Sequence, residues 1–180
     1  QAPGGVLGAV QCILHRTAGT GVRNAATLAG NTMRVLKHIA DGTGEPFPSD
    51  VFSVLYTLNV DITVFDSLTA SVQVHACQAL VDACIADQSF ADNILLLSYH
   101  IPDIHSDILV LAQKVALRDI NAHSIVNSGI YLDVDPSTRV INEVRLVFGA
   151  IAPYPWRATK TEQAMPRHLN KDEADDGGRR

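Results

Sequence analysis

Three apolar runs rich in β-branched residues constrain the fold of this chain most strongly. They occupy residues 108–117, 124–134 and 140–149. The connections between them are too short for the crossover helix that parallel neighbours require. The second connection also contains Pro136, a typical turn residue. The runs therefore predict a small antiparallel-sheet subdomain over residues 103–165.

The first part of the chain mixes helical and strand patterns, which predicts a mixed lobe over residues 1–102 and an α+β fold overall. Ser49 and Asp50 are good N-cap residues for a helix that turns Val51, Val54, Leu55 and Leu58 inward. Residues 23–31 are small and polar and show little helical pattern, which predicts irregular backbone that makes a close approach to another group. Further elements are predicted as helices over about 5–17 and 76–86 and strands at 62–65, 72–74 and 94–101.

The end of the chain changes character after a short predicted helix. Thr159 and Glu162 have the spacing of a capping box, and Pro166 would end the helix that they begin. Residues 166–180 carry eight charges in fifteen positions, which predicts a disordered tail. Because the chain begins at Gln1 and not at Met, we expect it to be a fragment.

Composition excludes several classes of protein. Hydrophobic residues make up 47% of the chain, enough to fill a core, and the net charge of −5 argues against nucleic-acid binding. No apolar run reaches the roughly 18 residues that would cross a membrane. Three cysteines are too few for a disulfide framework and favour a reducing compartment, so we expect a cytoplasmic location, with the peroxisome as the alternative.

Common chemical signatures are missing from the sequence. It has no P-loop, GxGxxG, GxSxG or HExxH motif, and we assign no catalytic residue from it. Cys77 and Cys84 are seven apart on one face of a predicted helix and are interpreted as core residues. His100 and His105 are the closest histidine pair, too little for a predicted metal site.

Four segments in register carry a family resemblance. They are Ala18 to Asn31 (AGTGVRNAATLAGN), Phe47 to Asp50 (FPSD), Lys114 to His123 followed by Val126-Asn127 (KVALRDINAH, VN), and Arg145 to Gly149 followed by Arg157 to Glu162 (RLVFG, RATKTE). Together they resemble the FAD-binding domain of the xanthine dehydrogenase and aldehyde oxidase family of molybdo-flavoenzymes. The resemblance covers about residues 14–165. It implies the C-terminal part of a PCMH-type FAD-binding domain, followed by a subdomain like the C-terminal one of CO dehydrogenase flavoproteins.

The resemblance implies a set of FAD-binding residues, each of which also has a structural alternative. Small residues up to Gly30 would let backbone amides approach a phosphate. Asp50 would bind the ribityl chain or hold the loop, with helix capping as the alternative for this residue and Ser49. Lys114 would stabilise a reduced flavin, or else be a solvated edge-strand lysine. The full implied set is Ala18, Thr27, Gly30, Asn31, Ser49, Asp50, Leu97 and Lys114, with core packing the favoured alternative for Leu97.

The resemblance also implies a larger enzyme. Its iron–sulfur [2Fe–2S] and molybdopterin domains, in the same or another chain, would pass electrons through FAD to NAD⁺ or O₂, and the parent enzyme would be a homodimer. The N-terminal FAD lobe of the family has no counterpart in this sequence. Arg34 and a long loop over residues 37–46 depart from the family pattern. A cofactor-free interaction module that keeps the fold is therefore the alternative hypothesis.

Overall fold

The computed structural model describes residues 6–42, 47–104 and 108–169. These residues form helices and two separate antiparallel sheets, so the predicted α+β fold is confirmed. The helices are α1 (Val6–Arg16), α2 (Thr20–Ala25), α3 (Leu28–Asp41), α4 (Asp50–Leu58), α5 (Cys77–Ala86) and α6 (Thr159–Ala164). The strands are β1 (Asp61–Asp66), β2 (Ser71–Ala76), β3 (Ile94–His100), β4 (Ile108–Ala116), β5 (Ser124–Val134), β6 (Ile141–Gly149) and β7 (Trp156–Arg157).

The larger sheet has the order β4-β5-β6-β7 with every pair antiparallel, as the three apolar runs predict for β4 to β6. Along each strand, successive side chains point to opposite faces of the sheet. Val110, Tyr131 and Val147 are buried on the inner face, whereas Leu109 and Leu111 of β4 face outward. This alternation sets the register, because a shift by one residue would turn the buried side chains toward solvent.

Helix α4 lies at the centre of the molecule. All nine of its residues are buried, including the predicted inward set. It contacts β5 and β6 on one side and α1, α3 and α5 on the others. A helix surrounded in this way needs no polar face, which explains its continuous run of apolar and small residues.

Most of residues 23–31 are helical where the sequence predicts irregular backbone: α2 ends at Ala25, Ala26 and Thr27 are extended, and α3 begins at Leu28. Thr27 is the N-cap of α3, and its hydroxyl accepts a hydrogen bond from the backbone N–H of Gly30 at 2.9 Å. The cap supplies a partner that compensates for the poor helix propensity of glycine. The prediction was wrong because the buried residues that give α3 its helical periodicity all lie after residue 31, so the segment itself carries no helical pattern.

The predicted capping box at α6 is wrong, although the helix is present. Its N-cap is Ala158, which has no side-chain cap. Glu162 instead accepts a hydrogen bond from the backbone N–H of Leu146 at 2.8 Å and pairs with Arg157. The carboxylate therefore ties α6 to the edge of the larger sheet instead of closing its own helix.

The start of the predicted tail is ordered. His168 forms a β-bridge with Val140, and the backbone N–H of Leu169 donates to the carbonyl of Arg139 at 3.1 Å. Residues 170–180 of that predicted tail lie outside the described residues. So do residues 43–46 of the predicted long loop and 105–107 of the predicted boundary, including His105.

The hydrophobic core crosses the predicted boundary between the two lobes. Phe52 of α4 and Ile62 of β1 belong to the same cluster of buried side chains as Val110 and Val147 of the larger sheet. Helix α1 also packs on β4. Helices from residues 1–102 therefore supply the layer that covers the inner face of the larger sheet.

Candidate functional site

A buried ion pair joins α4 to the edge strand β4. The Nζ atom of Lys114 lies 2.6 Å from Oδ2 of Asp50, and the two residues are only 5% and 8% exposed. Lys114 also donates to the carbonyl oxygens of Arg16 at 3.1 Å and Ala122 at 2.9 Å. All three ammonium hydrogens therefore have acceptors, and the expectation of a solvated edge-strand lysine is wrong.

The other oxygen of the Asp50 carboxylate has two partners of its own. Asn127 donates to Oδ1 at 2.8 Å, and the Ser124 hydroxyl makes a short hydrogen bond to the same atom. The free-energy cost of removing a charge from water is offset only when the charged group is hydrogen-bonded within the protein, as both oxygens of Asp50 are. Asp50 thus holds the surrounding loops together, which is one of the two roles that the family resemblance implies for it.

The first residues of α3 and α4 are linked by side chains. Ser49 is the N-cap of α4, because its hydroxyl accepts from the backbone N–H of Phe52 at 3.0 Å. The same hydroxyl donates to Oδ1 of Asn31 at 2.5 Å. The capping alternative for Ser49 is confirmed, and the cap also fixes the orientation of the Asn31 side chain.

The N-terminal end of α3 is open to solvent and suited to an anion. Thr27 and Gly30 are exposed there, and Asn31 is half-buried. The backbone N–H groups of Leu28 and Ala29 have no carbonyl of a preceding helical turn to bond, and the first turn contains no acidic residue. With the helix dipole, such N–H groups favour a bound phosphate.

Gly30 contributes a close approach to this end of α3. A Cβ atom at this position would stand 3.1 Å from Oγ1 of Thr27, the atom that caps the helix. The Asn31 amide group adds hydrogen-bond donors next to it, since its carbonyl oxygen is already bonded to Ser49. This donor set fits the diphosphate of a dinucleotide such as FAD, whereas the saturated Asp50 and Lys114 fit only a supporting role.

Two further predicted residues lie in different surroundings. Ala18 adopts a left-handed conformation, with φ of 51°, in the turn between α1 and α2, and its carbonyl accepts from Arg23 at 2.9 Å. This turn is tied to the ion pair through Lys114 and Arg16. Leu97 is separate from it, 51% exposed at a β-bulge of β3, so its expected core packing is wrong.

The structure adds residues that the sequence reasoning left out. Ser124 and Asn127 complete the shell around Asp50, although only Asn127 belongs to the family-like segments. The signal for Ser124 was its place directly after the Asn-Ala-His sequence. Arg34, which departs from the family pattern, places its guanidinium 4.3 Å from the centre of the Phe47 ring. Its position explains how a bulky cation is accommodated there.

Among the described residues, no group of three or more His, Cys, Asp or Glu side chains is arranged to hold a metal ion. Cys77 and Cys84 are free thiols in the core, as interpreted from their spacing. Burial, with a smaller contribution from Asp87, raises the pKa of Cys84 to about 11. None of the helices in this part of the chain has the length and apolar character to span a bilayer.

Comparison with known proteins agrees with this geometry. Residues 112–173 match the family of the CO dehydrogenase flavoprotein C-terminal domain. The chain is 29% identical to xanthine dehydrogenase of Calliphora vicina over 161 residues and 27% identical to aldehyde oxidase 4 of Mus musculus over 153 residues. The resemblance to the xanthine dehydrogenase and aldehyde oxidase family is confirmed. Each of these two alignments covers 85% of this chain but only 11% of the relative.

Solved structures share the fold. The Cu,Mo-CO dehydrogenase in its cyanide-inactivated form superposes with a TM-score of 0.67 at 14% identity, over 94% of this chain and 54% of that one. Carbon monoxide dehydrogenase from Hydrogenophaga pseudoflava gives 0.66 at 11% identity, over 87% and 50%. Quinoline 2-oxidoreductase from Pseudomonas putida 86 gives 0.59 at 17% identity, over 89% and 50%. The chain therefore spans about half of these structures and about a tenth of the two curated relatives.

Proposed function

We propose that this chain is the FAD-binding portion of a molybdenum hydroxylase of the xanthine dehydrogenase and aldehyde oxidase type. The observation that carries the proposal is the convergence of the four family-like segments. The first meets the second where Asn31 bonds to Ser49. The second meets the third in the ion pair between Asp50 and Lys114, 64 positions apart. Gly149 of the fourth packs so closely on the third that no side chain would fit there.

In this proposal the N-terminal end of α3 binds the FAD diphosphate. Thr27 and Asn31 supply side-chain hydrogen bonds, and Gly30, which has no side chain, lets the diphosphate approach the backbone closely. Ala18 and Leu97 are the remaining residues proposed to border the cofactor. The buried Asp50–Lys114 pair, with Ser49, positions this surface without touching the cofactor. Bound FAD would supply the electron-transfer chemistry, from iron–sulfur clusters to NAD⁺ or O₂, while the protein binds and orients it.

The proposal extends to the rest of the enzyme. Iron–sulfur and molybdopterin domains, in the same polypeptide or in partner chains, would complete an oxidoreductase that works as a cytoplasmic or peroxisomal homodimer. The support is the likeness to xanthine dehydrogenase and aldehyde oxidase, of which this chain covers about a tenth.

Equilibrium dialysis against FAD tests the proposed binding surface. Asn31→Asp keeps an oxygen for the Ser49 hydroxyl but replaces the amide donors with a negative charge, so the fold should survive while FAD binding weakens. Losing a hydrogen bond to a charged group costs about 1.5–3 kcal/mol, which corresponds to a roughly tenfold to hundredfold loss of affinity. Gly30→Val should weaken binding as well, because its branched side chain projects beside Thr27.

The matched control is Gly21→Val. Gly21 is an exposed helical glycine around which a Cβ atom would meet nothing within 4 Å, and it lies outside the proposed contacts. This variant should bind FAD like the wild type. If the wild-type chain binds no FAD, the cofactor-free interaction module becomes the better explanation. If the Asn31 and Gly30 variants bind FAD as the wild type does, the cofactor does not bind at the N-terminal end of α3 and that part of the proposal is wrong. The saturation of Asp50 and Lys114 is the observation that favours that alternative.

A further inference from the structure

A cleft lined by no residue of α3 lies between α5 and the segment that leads into β7. Its volume is 160 Å³. That is below the roughly 300–1,000 Å³ of pockets that hold drug-sized ligands, so it suits a small molecule. The side chains that line it include Tyr56, Gln78, Asp82, Ile85, Tyr154 and Trp156.

Two aromatic rings form one wall of this cleft. The ring centres of Tyr154 and Trp156 are 6.0 Å apart, and their planes are inclined by 43°. Trp156 is 48% exposed and Ile85, on α5, is 57% exposed, so solvent reaches both the aromatic wall and the α5 side of the cleft. Aromatic ring faces attract cations, and tryptophan does so most strongly.

A carboxylate without a counter-ion lies in the same cleft. Gln78 donates to Oδ1 of Asp82 at 2.9 Å, and the Tyr56 hydroxyl in turn donates to Gln78 at 2.9 Å. These bonds orient the carboxylate, which is exposed to solvent, and no ion pair reaches Asp82 from the described part of the chain. Burial, with a smaller effect of Asp82, raises the pKa of Tyr154, in keeping with a carboxylate close to that ring.

The cation nearest to the cleft is already neutralised. Arg157 lines it, but its guanidinium contacts both carboxylate oxygens of Glu162, at 3.0 Å and 3.1 Å from Nε. This pairing cancels most of the repulsion that a free arginine would exert on a bound cation. The balance of charge in the cleft is therefore set by Asp82.

We propose that this cleft binds a small methylated ammonium ion. An anion would be repelled by Asp82, and a neutral apolar molecule would gain no ion-pair contact with it. A quaternary ammonium places methyl groups on the rings and on Ile85 and its charge near Asp82, and it requires no hydrogen bond from the aromatic wall. Cation–π and ion-pair contacts at a half-open site are each modest, so the expected Kd is about millimolar.

Trp156 reports binding directly, since it is the one tryptophan of the sequence. Choline chloride is titrated into the protein at constant ionic strength, with tryptophan fluorescence as the signal. We expect a saturable change, and no such change with 3,3-dimethylbutan-1-ol, the neutral analogue of choline. Asp82→Asn should raise the Kd for choline by about two- to fivefold, the size expected for an exposed ion pair. Asp41→Asn, which removes the same charge at an exposed site outside the cleft, should leave it unchanged.

Ile85→Lys provides an independent test, because the added ammonium would compete for Asp82 from within the cleft. We expect it to abolish the choline response while the thermal midpoint, followed by circular dichroism, stays close to that of the wild type. No saturable change in the wild type would overturn the proposal. So would an equal response to the neutral analogue, or an equal loss in the Asp82 and Asp41 variants. These measurements use no flavin, so they succeed or fail independently of FAD binding.

Discussion

At the scale of single residues, the feature with the largest expected effect on stability is the buried Asp50–Lys114 ion pair. Each partner is buried, all three hydrogens of the Lys114 ammonium have acceptors and both carboxylate oxygens of Asp50 are hydrogen-bonded, so neither can be altered without leaving the other charge stranded. Breaking such a pair costs more than the pair contributes, because the remaining charge stays in a medium that solvates it poorly. The exposed Lys37–Asp92 pair, at the same 2.6 Å, keeps its access to water.

Asp50→Ala should therefore destabilise the protein by about 3–5 kcal/mol in urea unfolding. Adding Lys114→Met should recover part of this loss, because the stranded ammonium is removed. Lys37→Met is the matched control, and it should leave the urea midpoint unchanged, since solvent screens exposed pairs. Equal effects of Asp50→Ala and Lys37→Met would show that burial does not determine how much an ion pair matters to the stability of this protein.

At the scale of elements, the approach of α4 to β5 depends on a missing side chain. A Cβ atom at Gly129 would collide with the Thr57 side chain, and it would lie 3.3 Å from the carbonyl oxygen of Ser53. Thr57 donates its hydroxyl to that same carbonyl at 2.7 Å, which fixes its rotamer. Helix and strand can touch here only because β5 carries glycine.

Gly129→Ala should cost about 1–3 kcal/mol, as overpacking of a fixed core does. Thr57→Ala in the same chain should restore part of the stability by removing the clashing atoms. Gly21→Ala serves as the control in an exposed helix with open space around it, and there alanine should be neutral or slightly stabilising. Chemical denaturation of the four proteins measures these differences. A fully tolerated Gly129→Ala would mean that α4 shifts freely on the sheet.

The turn between β5 and β6 depends on one carboxylate. Asp135 accepts hydrogen bonds from the Ser137 hydroxyl at 2.6 Å, from the Ser137 backbone N–H at 2.8 Å and from the Thr138 N–H at 3.1 Å. These bonds, the one from the Ser137 side chain first, lower the pKa of Asp135 to about 2. Because the folded state favours the charged carboxylate, the turn is stabilised above the ordinary pKa of 3.8.

This stabilisation should disappear as the pH falls from about 4 to about 2, since protonation removes the acceptor. A carboxyl ¹³C titration by NMR should place the Asp135 midpoint near pH 2. The stability difference between wild type and Asp135→Asn should shrink over the same interval. A midpoint near the ordinary value of 3.8 would contradict the hydrogen bonding in the turn.

At the scale of the whole molecule, the two sheets share one layer of helices. Helix α4 packs on β5 and β6, and its neighbour α3 contacts α5 and strand β3 of the smaller sheet. Neither sheet keeps a covered inner face if the helices leave. The predicted division at residues 102 and 103 therefore separates two parts of the chain that have a common core.

The protein should then unfold in one cooperative step. Fluorescence of Trp156, which lies in strand β7 of the larger sheet, and far-ultraviolet circular dichroism, which reports all the helices, should give the same urea midpoint. The calorimetric and van't Hoff enthalpies should also agree. Two separate transitions would show that residues 1–102 and 103–165 fold as independent units.

Local signals were enough to predict most elements of this chain. The β-branched runs of β4 to β6, the Ser49 cap of α4 and the family-like segments are all encoded within a few consecutive residues. The elements that were missed have weak local signals. Residues 23–31 look irregular because α3 owes its start to the Thr27 hydroxyl rather than to apolar periodicity.

Only the tertiary structure decided how the chemistry-bearing side chains are used. The sequence alone indicated that Asp50 and Lys114 matter, but their burial and mutual saturation follow from α4 and β4 meeting across 64 positions. Likewise Glu162 bonds to Leu146 instead of its own helix, and Leu97 faces outward at a bulge. Sequence patterns report what a few neighbouring residues prefer, whereas the partner of a charge or the exposure of a side chain depends on residues that only packing brings together.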